Sequence, residues 1–319
     1  MNLSRAFVLG IILLAAQFYQ GIEAMGIVCD GKGKCVIGQR EYPAIGFGTY
    51  PYQDQTCLFA TEQAAMAGYQ IIDTATFYQN FDPIGKTLQK HGRQNFYVIS
   101  KAWHDSHTRE KLHADLARTL KQLGTHYLDA YLLHWPNSKV PIEETLQAME
   151  ELRQRQLIRH IGLSNVSVNH LKRALEVGVP ITWVQVEMNP LFYDAALLDF
   201  CQKHSIGVLA WAPLNRGGLS TDPNLAALGK KYRKTASQIA LRWIIQNQCI
   251  PLPGSQNEAH IRQNIAIMDF EISQKDMKEM NQKAAAGERV RIPLSYGLGF
   301  TDEFDFPYEA CWPKNSVRS

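Results

Sequence analysis

The sequence has little excess charge and no segment of unusual composition. Its 33 Lys and Arg residues nearly balance 30 Asp and Glu, so the net charge is only +3. This small excess, with no dense basic stripe, argues against a nucleic-acid-binding protein. The nearest basic cluster, at residues 229–234, is typical of a solvated helix end. Because repeats, low-complexity segments and interdomain linkers are also missing, we expect one large domain.

None of the cysteine and histidine spacings is typical of a zinc site. Cys29 and Cys35 flank the glycine-rich segment DGKGK, so we expect them to face each other across a hairpin. A disulfide and two free thiols remain equally open for this pair. Cys57, Cys201 and Cys249 lie in apolar surroundings and are expected in the core.

Beyond the first residues, the chain lacks an apolar run long enough to span a bilayer. Residues 1–24 combine Arg5, an apolar stretch from Ala6 to about Phe18, and small or polar residues ending at Ala24. This pattern is typical of a secretory signal peptide cleaved after Ala24, with an uncleaved membrane anchor as the alternative. We therefore expect an exported protein whose mature chain, residues 25–319, is a single domain without a membrane span.

Short apolar runs alternate with amphipathic helical segments along the chain. Strands are predicted near residues 44–48, 70–73, 96–101, 128–134, 158–163, 182–187, 206–211 and 249–252. Among the predicted helices are residues 108–124, 141–156 and 235–248. Eight such units predict a parallel (β/α)8 TIM barrel. An N-terminal hairpin at 26–39 is expected to plug the barrel bottom, and the aromatic tail from about residue 287 either to line the substrate pocket or to pack outside.

Polar side chains follow the predicted strands at the points where these end. Asp73, Lys101 and His134 occupy such positions, and Tyr78 stands five residues after Asp73. Because the carboxyl ends of barrel strands meet at one face, we expect these four side chains to form one group for proton transfer.

Seven sequence blocks resemble, in order and spacing, those of the aldo-keto reductases. They are GYQIIDTATFYQN, YVISKAW, YLLHWP, IGLSN, VQVEMNP, LAWAPL and PLPGSQNEAHIRQN, and the resemblance covers roughly residues 26 to 285. It implies a (β/α)8 barrel with NAD(P)H extended across its C-terminal face. It also implies metal-free reduction of a small carbonyl substrate, with Asp73, Tyr78, Lys101 and His134 in the catalytic roles. We expect a monomer.

The carbonyl reduction that the resemblance implies requires a group for proton transfer together with a hydride donor. Side chains cannot donate hydride, so a nicotinamide must supply it. Tyrosine, with an ordinary pKa near ~10, is a poor acid at neutral pH. A Lys101 ammonium held by Asp73 would favour the phenolate of Tyr78 and so make it a better acid. His134 would hydrogen-bond the carbonyl oxygen.

The resemblance also implies contacts to the nicotinamide. Ser164, Asn165 and Gln185 would bind its carboxamide, which offers both a donor and an acceptor. Trp211 would stack on the ring, where many relatives have Tyr. The pocket wall is expected to include the aromatic residues beside the catalytic blocks, Tyr50, Phe77, Trp103 and Trp135.

The loop that would hold the adenosine phosphate departs from the family pattern. Many relatives have Lys where Gly254 stands and Arg where His260 stands, and these two charges grip the 2′-phosphate of NADP(H). Gln263 replaces a Glu, while Asn264 is retained. Ser255, His260 and Arg262 would compensate in part. We therefore expect NADP(H) as cofactor, with NAD(H) as the alternative.

Two other functions remain open from the sequence alone. One is a nucleotide-sensing barrel without useful turnover, against which the four intact catalytic residue types speak. The other is a TIM-barrel hydrolase or isomerase, which the lack of paired carboxylates at strand ends disfavours. An NAD(P)H-dependent carbonyl reductase is the leading interpretation.

Overall fold

The computed structural model describes residues 27–137 and 140–287. Its centre is a sheet of eight parallel strands in the chain order β4 to β11. The eight strands are β4 (Gly46–Gly48), β5 (Ile71–Asp73), β6 (Tyr97–Ala102), β7 (Leu128–Leu133), β8 (Ile158–Ser164), β9 (Ile181–Glu187), β10 (Gly207–Trp211) and β11 (Ile250–Pro251). Each overlaps one of the predicted runs, which confirms the (β/α)8 barrel.

Helices follow the strands on the outside of this barrel. They are α1 (Asp54–Ala67), α2 (Phe81–His91), α3 (Arg109–Leu123), α4 (Ile142–Gln154), α5 (Val168–Glu176), α6 (Ala195–Lys203), α7 (Pro223–Tyr232), α8 (Ala236–Gln246), α9 (Glu258–Ile265) and α10 (Gln274–Ala285). The three helices predicted explicitly correspond to α3, α4 and α8. None of the helices in the described ranges is long and apolar enough to cross a membrane.

Alternation along the strands decides which side chains face the barrel axis. Successive strand residues point to opposite faces. In β5, Ile71 belongs to the inner apolar cluster and Ile72 to the cluster between strands and helices. The same alternation in β6 and β7 puts Ile99 and Leu132 inside. Polar residues two positions further along these three strands therefore also face the interior, at its carboxyl end.

The barrel closes between its first and last strands. The amide of Gly48 donates to the carbonyl of Pro253 over 3.0 Å. A Cβ atom on Gly48 would lie 2.6 Å from the Leu252 carbonyl oxygen, so the two backbones approach closely only because residue 48 is glycine.

A three-stranded antiparallel sheet covers the amino-terminal end of the barrel. It consists of β1 (Val28–Cys29), β2 (Lys34–Ile37) and β3 (Arg40–Pro43), and the predicted hairpin corresponds to its first two strands. Arg40 donates to the carbonyl of Asn95 just before β6 over 3.4 Å, and Tyr42 packs edge-on against Tyr97 at the start of that strand. The sheet therefore sits at the bottom of the barrel, as predicted.

The cysteines of the described ranges are free thiols. Cys29 and Cys35 are directly opposed in the β1–β2 register, as predicted, and the structure shows this pair without a disulfide. Cys57, Cys201 and Cys249 are fully buried, which confirms their place in the core. The predicted signal peptide at residues 1–24 and the aromatic tail from residue 288 lie outside the described residues.

Candidate active site

A buried ion pair forms the centre of the site at the carboxyl end of the barrel. Nζ of Lys101 lies 2.8 Å from Oδ2 of Asp73. It also donates to the Thr74 carbonyl at 2.9 Å and lies 3.2 Å from the hydroxyl of Tyr78. Lys101 is 0% exposed and Asp73 4%. The three hydrogens of the ammonium are therefore donated to a carboxylate, a carbonyl and the phenol.

The other carboxylate oxygen of Asp73 has its own donor. Nε2 of Gln185, on β9, donates to Oδ1 of Asp73 at 2.8 Å. Gln185 also lines the cavity described below, so its expected contact with a carboxamide stays a prediction. Both oxygens of the buried carboxylate are thus satisfied, as a charge in an apolar interior requires.

Burial controls the protonation of the two groups in contact. It lowers the pKa of Lys101, while the charge of Asp73 acts in the opposite direction. Burial also raises the pKa of Tyr78 well above 10, and the charge of Asp73 adds to that rise. This rise is opposite to the fall in pKa expected from Lys101 alone. Desolvation destabilises the buried phenolate by more than the neighbouring ammonium stabilises it. Tyr78 is therefore a neutral phenol at physiological pH.

His134 follows β7 and lies beside the phenol. Its ring is edge-on to Tyr78 at 5.6 Å and to Trp103 at 4.9 Å between centroids. Burial, and secondly the charge of Lys101, lower the pKa of His134 well below 6.5. The imidazole is therefore neutral at pH 7, with one nitrogen as donor and the other as acceptor. Its Nδ1 has no partner among the described residues.

These residues open into a cavity of about 1000 Å³. The wall near Tyr78 is aromatic: Phe77 stacks on Trp103 at 4.1 Å, and Tyr50 tilts against Tyr78 at 5.1 Å. All four aromatic residues expected in the pocket line it, namely Tyr50, Phe77, Trp103 and Trp135.

Three residues expected beside the nicotinamide lie on neighbouring strand ends. Ser164 is directly opposite Gln185 in the β8–β9 register. The Oγ atom of Ser164 is buried and has no hydrogen-bond partner among the described residues. Asn165 donates to the His134 carbonyl at 2.9 Å and accepts from the indole nitrogen of Trp211 at 2.9 Å. An unpartnered hydroxyl beside two amide groups suits a ligand carboxamide.

The opposite end of the cavity is formed by the start of α9. Asn257 caps this helix by accepting from the amide of His260 at 3.2 Å, and Ser255 accepts from the amide of Asn257 at 3.0 Å. The predicted residues Ser255, His260 and Asn264 line the cavity here. Arg262 does not line it, and pairs with Glu258 at 2.9 Å on the exposed side of α9.

Several cavity residues had no signal in the sequence. Arg216 lies with its guanidinium carbon 5.7 Å above the ring of Tyr50. It belongs to a 3₁₀ segment (Asn215–Thr221) and has a left-handed φ of 51°. Thr235 and Ser237, at the start of α8, and Gln256 and Asn257, before α9, also line the cavity. No local pattern predicts them, because their place depends on how distant loops meet.

The whole arrangement fits a dinucleotide. One cavity is lined by Tyr78, Asn165 and Gln185 and also by residues at the start of α9, where the backbone amides of a first helical turn favour phosphate. A family model described as the aldo/keto reductase family matches residues 44–285. The chain belongs to the aldo-keto reductase family. It is therefore an NAD(P)-dependent oxidoreductase that acts on carbonyl groups.

Curated relatives are similar over most of the chain. A 9,11-endoperoxide prostaglandin H2 reductase from Trypanosoma cruzi is 33% identical over 75% of this chain and 87% of its own length. A glyoxal reductase from Bacillus subtilis is 34% identical, over 76% and 88%.

Solved structures of aldo-keto reductases have the same fold. An aldose reductase from Schistosoma japonicum gives a TM-score of 0.76 at 29% identity, covering 85% of this chain and 96% of that one. A Bombyx mori aldo-keto reductase in complex with NADP gives 0.71 at 32% identity, over 77% and 90%.

The prediction that this aldo-keto reductase is exported is wrong. The homologues are mostly cytoplasmic aldo-keto reductases. The prediction depended on one arginine and a short apolar run in residues 1–24, which lie outside the described residues. Hydropathy of that kind does not by itself distinguish a cleaved leader from another apolar N-terminal segment, and it carries no information about the enzyme that follows.

A second buried histidine of this reductase makes its stability depend on pH. His107, after β6, is 1% exposed, and burial lowers its pKa to about 4. Below about pH 6.5 the unfolded chain binds a proton at this residue while the folded chain does not. Stability that is present at neutral pH is therefore lost as the pH falls from 6.5 towards 4, and His134 acts in the same direction.

Between pH 6.5 and 5, we expect the free energy of unfolding of His107→Phe to decrease by about 1–2 kcal/mol less than that of the wild type. Urea unfolding of both proteins at the two pH values measures the difference. His126→Phe, at an exposed histidine, is the matched control and should keep the wild-type slope. Equal slopes for His107→Phe and the wild type would show that His107 is not held neutral.

Proposed function

We propose that the protein reduces aldehydes or ketones to alcohols with NADPH, and that Tyr78 donates the proton. The observation that carries this proposal is the contact of one buried ammonium, Lys101, with both Asp73 and the Tyr78 hydroxyl, at 2.8 and 3.2 Å. This group lies beside a neutral histidine in an aromatic cavity, where a carbonyl with an apolar body is accommodated.

The role of Lys101 is to make the neutral phenol of Tyr78 a stronger acid during the proton transfer. When bound, the nicotinamide supplies a hydride to the carbonyl carbon. Negative charge then develops on the carbonyl oxygen, which takes the proton of the Tyr78 hydroxyl. The phenolate left behind accepts a hydrogen bond from the Lys101 ammonium, whose position Asp73 fixes. The charge-assisted bond thus strengthens in the transition state, which is where it accelerates the reaction.

His134 supports the same oxygen from the other side. Because its imidazole is neutral, it donates a hydrogen bond without losing a proton. Phe77, Trp103 and Trp135 exclude water around the reacting carbon.

Ser164, Asn165 and Gln185 would hold the carboxamide, and Trp211 would pack on the ring. The indole of Trp211 is fixed by its bond to Asn165, so ring and amide contacts are set together. At the far end, backbone amides of α9 and the side chains of Ser255 and Asn264 would hold the adenosine side. Arg262 would have to leave Glu258 to take part.

NADP(H) is the proposed cofactor, as in the Bombyx mori structure with NADP and in a second aldo-keto reductase complexed with NADPH. Of the cavity-lining residues in the segment 252–264, His260 alone can carry a positive charge. The 2′-phosphate clamp would thus be weaker than in relatives with Lys and Arg at positions 254 and 260. A side chain at position 254 is not tolerated without rearrangement, since a Cβ atom there lies 2.4 Å from the Gly48 carbonyl oxygen.

Replacing Tyr78 with Phe removes the proton donor and keeps the ring. We expect reduction of a responsive aldehyde to fall ~100-fold or more, the usual scale for a positioned acid, with NADPH affinity retained. Steady-state rates at the reduced-nicotinamide absorbance and fluorescence titration of NADPH measure the two effects.

Tyr97→Phe is the control for this experiment. Tyr97 is also a buried tyrosine, but its hydroxyl lies 2.7 Å from Nδ1 of His160, and neither residue lines the cavity. Turnover should survive in that variant. Near-normal reduction by Tyr78→Phe would reject Tyr78 as the donor.

Replacing His260 with Arg adds a permanent charge at the mouth of the phosphate end. We expect the Kd for NADPH to fall about tenfold, the effect of one charge-assisted hydrogen bond, with the Kd for NADH unchanged. His204→Arg, at an exposed histidine after α6, adds the same charge elsewhere and should change neither value. Equal tightening of both cofactors by His260→Arg would mean that residue 260 does not meet the 2′-phosphate.

A further inference from the structure

We propose that Asp115, outside the active site, is a positioning residue that holds the turn carrying Tyr78 to the strand that leads to His134. Asp115 lies in α3 and is 2% exposed. Its Oδ2 accepts from the Thr76 hydroxyl at 2.8 Å and from the Tyr131 hydroxyl at 2.7 Å. The catalytic meaning of this contact depends on the function proposed above.

The turn that carries Tyr78 is too short to fix itself. It is a single 3₁₀ turn, Thr76–Tyr78, and the amide of Tyr78 bonds to the carbonyl of Ala75 at 3.0 Å. Short turns of this type have poor internal hydrogen-bond geometry. Side-chain bonds from outside must therefore decide where the phenol lies.

One flank of the turn is held by a buried asparagine. Asn80, fully buried, accepts from the Thr74 hydroxyl at 2.6 Å and donates to the hydroxyl of Thr49 and the carbonyl of Tyr52, each at 3.0 Å. Gln53 donates to the Tyr78 carbonyl at 3.1 Å. These contacts tie the turn to the segment after β4.

The other flank is held by Asp115. Thr76, two residues before Tyr78, makes its side-chain bond to this carboxylate. Tyr131 lies in β7, with its ring among the residues between strands and helices, three positions before His134. The same oxygen of Asp115 therefore connects the turn of the proposed acid with the strand of the histidine.

Both carboxylate oxygens of Asp115 have hydrogen-bond donors. Arg118, one helical turn along α3, donates to the second oxygen of Asp115. Burial, and then the charge of Asp115, raise the pKa of Tyr131 well above 10, so its hydroxyl keeps the proton that it donates. A charged acceptor with neutral donors gives hydrogen bonds stronger than neutral pairs.

Thr76→Val removes the hydroxyl that binds Asp115 and keeps the shape of the side chain. We expect kcat to fall about tenfold, with KM for the carbonyl and Kd for NADPH within twofold of wild type, because only the placement of the acid changes. Thr76→Ser restores a hydroxyl at the same position and should recover kcat to within about twofold. A deuterated nicotinamide should show a larger isotope effect on kcat for Thr76→Val, since chemistry then limits more of the turnover.

The control is Thr61, a fully buried threonine whose hydroxyl also joins two elements. Thr61 lies in α1 and its Oγ1 is 2.7 Å from Oγ1 of Thr87 in α2. Thr61→Val should lower the unfolding midpoint and leave kcat unchanged. Circular dichroism and NADPH binding show whether each variant is folded.

Asp115→Asn provides a second variant should Thr76→Val fold poorly. It keeps the shape and weakens the bonds to both partners, so kcat should fall while NADPH binding is retained. Wild-type kcat in either Thr76→Val or Asp115→Asn overturns the proposal, and so does a Thr76→Ser variant as slow as Thr76→Val. A kcat loss matched by an equal loss of NADPH affinity also overturns it, because that is general loosening.

Failure of the proposed function can be distinguished from failure of the proposal for Asp115. A wild-type protein that reduces no carbonyl with NADPH counts against the function and not against Asp115. In that case, crystal structures of the wild type and Thr76→Val without cofactor decide. The proposal predicts a longer distance from the Tyr78 hydroxyl to Lys101 Nζ in the variant, and an unchanged distance overturns it.

Discussion

The buried pair of Lys101 and Asp73 is the interaction on which the rest of the site depends. An ammonium with no exposure to water is tolerated only because a carboxylate, a carbonyl and a phenol surround it. The carboxylate in turn takes a bond from Gln185 across the barrel. Removing one member leaves a charge without compensation in an apolar interior, and this is costly by several kcal/mol. The pair therefore fixes the relative positions of β5, β6 and β9 at the mouth.

Burial and this concentration of charge together explain why the neighbouring groups are neutral. Burial is the larger cause: it raises the pKa of the Tyr78 phenol, to which Asp73 adds, and lowers the pKa of the His134 imidazole, to which Lys101 adds. Both side chains thus enter a reaction cycle with their protons in place. The Lys101 ammonium then has its largest effect on whichever group becomes negative next to it. A low-dielectric site makes that effect stronger than it would be in water.

Much of the fold, and the clustering of the candidate site residues, could be predicted from the sequence. Strand alternation puts Asp73, Lys101 and His134 inward, and parallel strands bring their ends together. The third strand, β3, was missed because REYP is short, polar and lies at a sheet edge. Asp115 was missed because one acidic residue on a helix has no periodic signal. Its partners Thr76 and Tyr131 are 39 and 16 residues away, so only the fold brings them together.

The central proposal is that the Lys101 ammonium enables the Tyr78 phenol to release its proton. The most direct measurement is the single-turnover rate of NADPH oxidation by Lys101→Met with a saturating aldehyde. Methionine fills a similar volume without charge. If Lys101 has this role, the rate should fall at least ~100-fold below wild type with the fold and the Kd for NADPH retained. A folded Lys101→Met variant that oxidises NADPH at nearly the wild-type rate would contradict it.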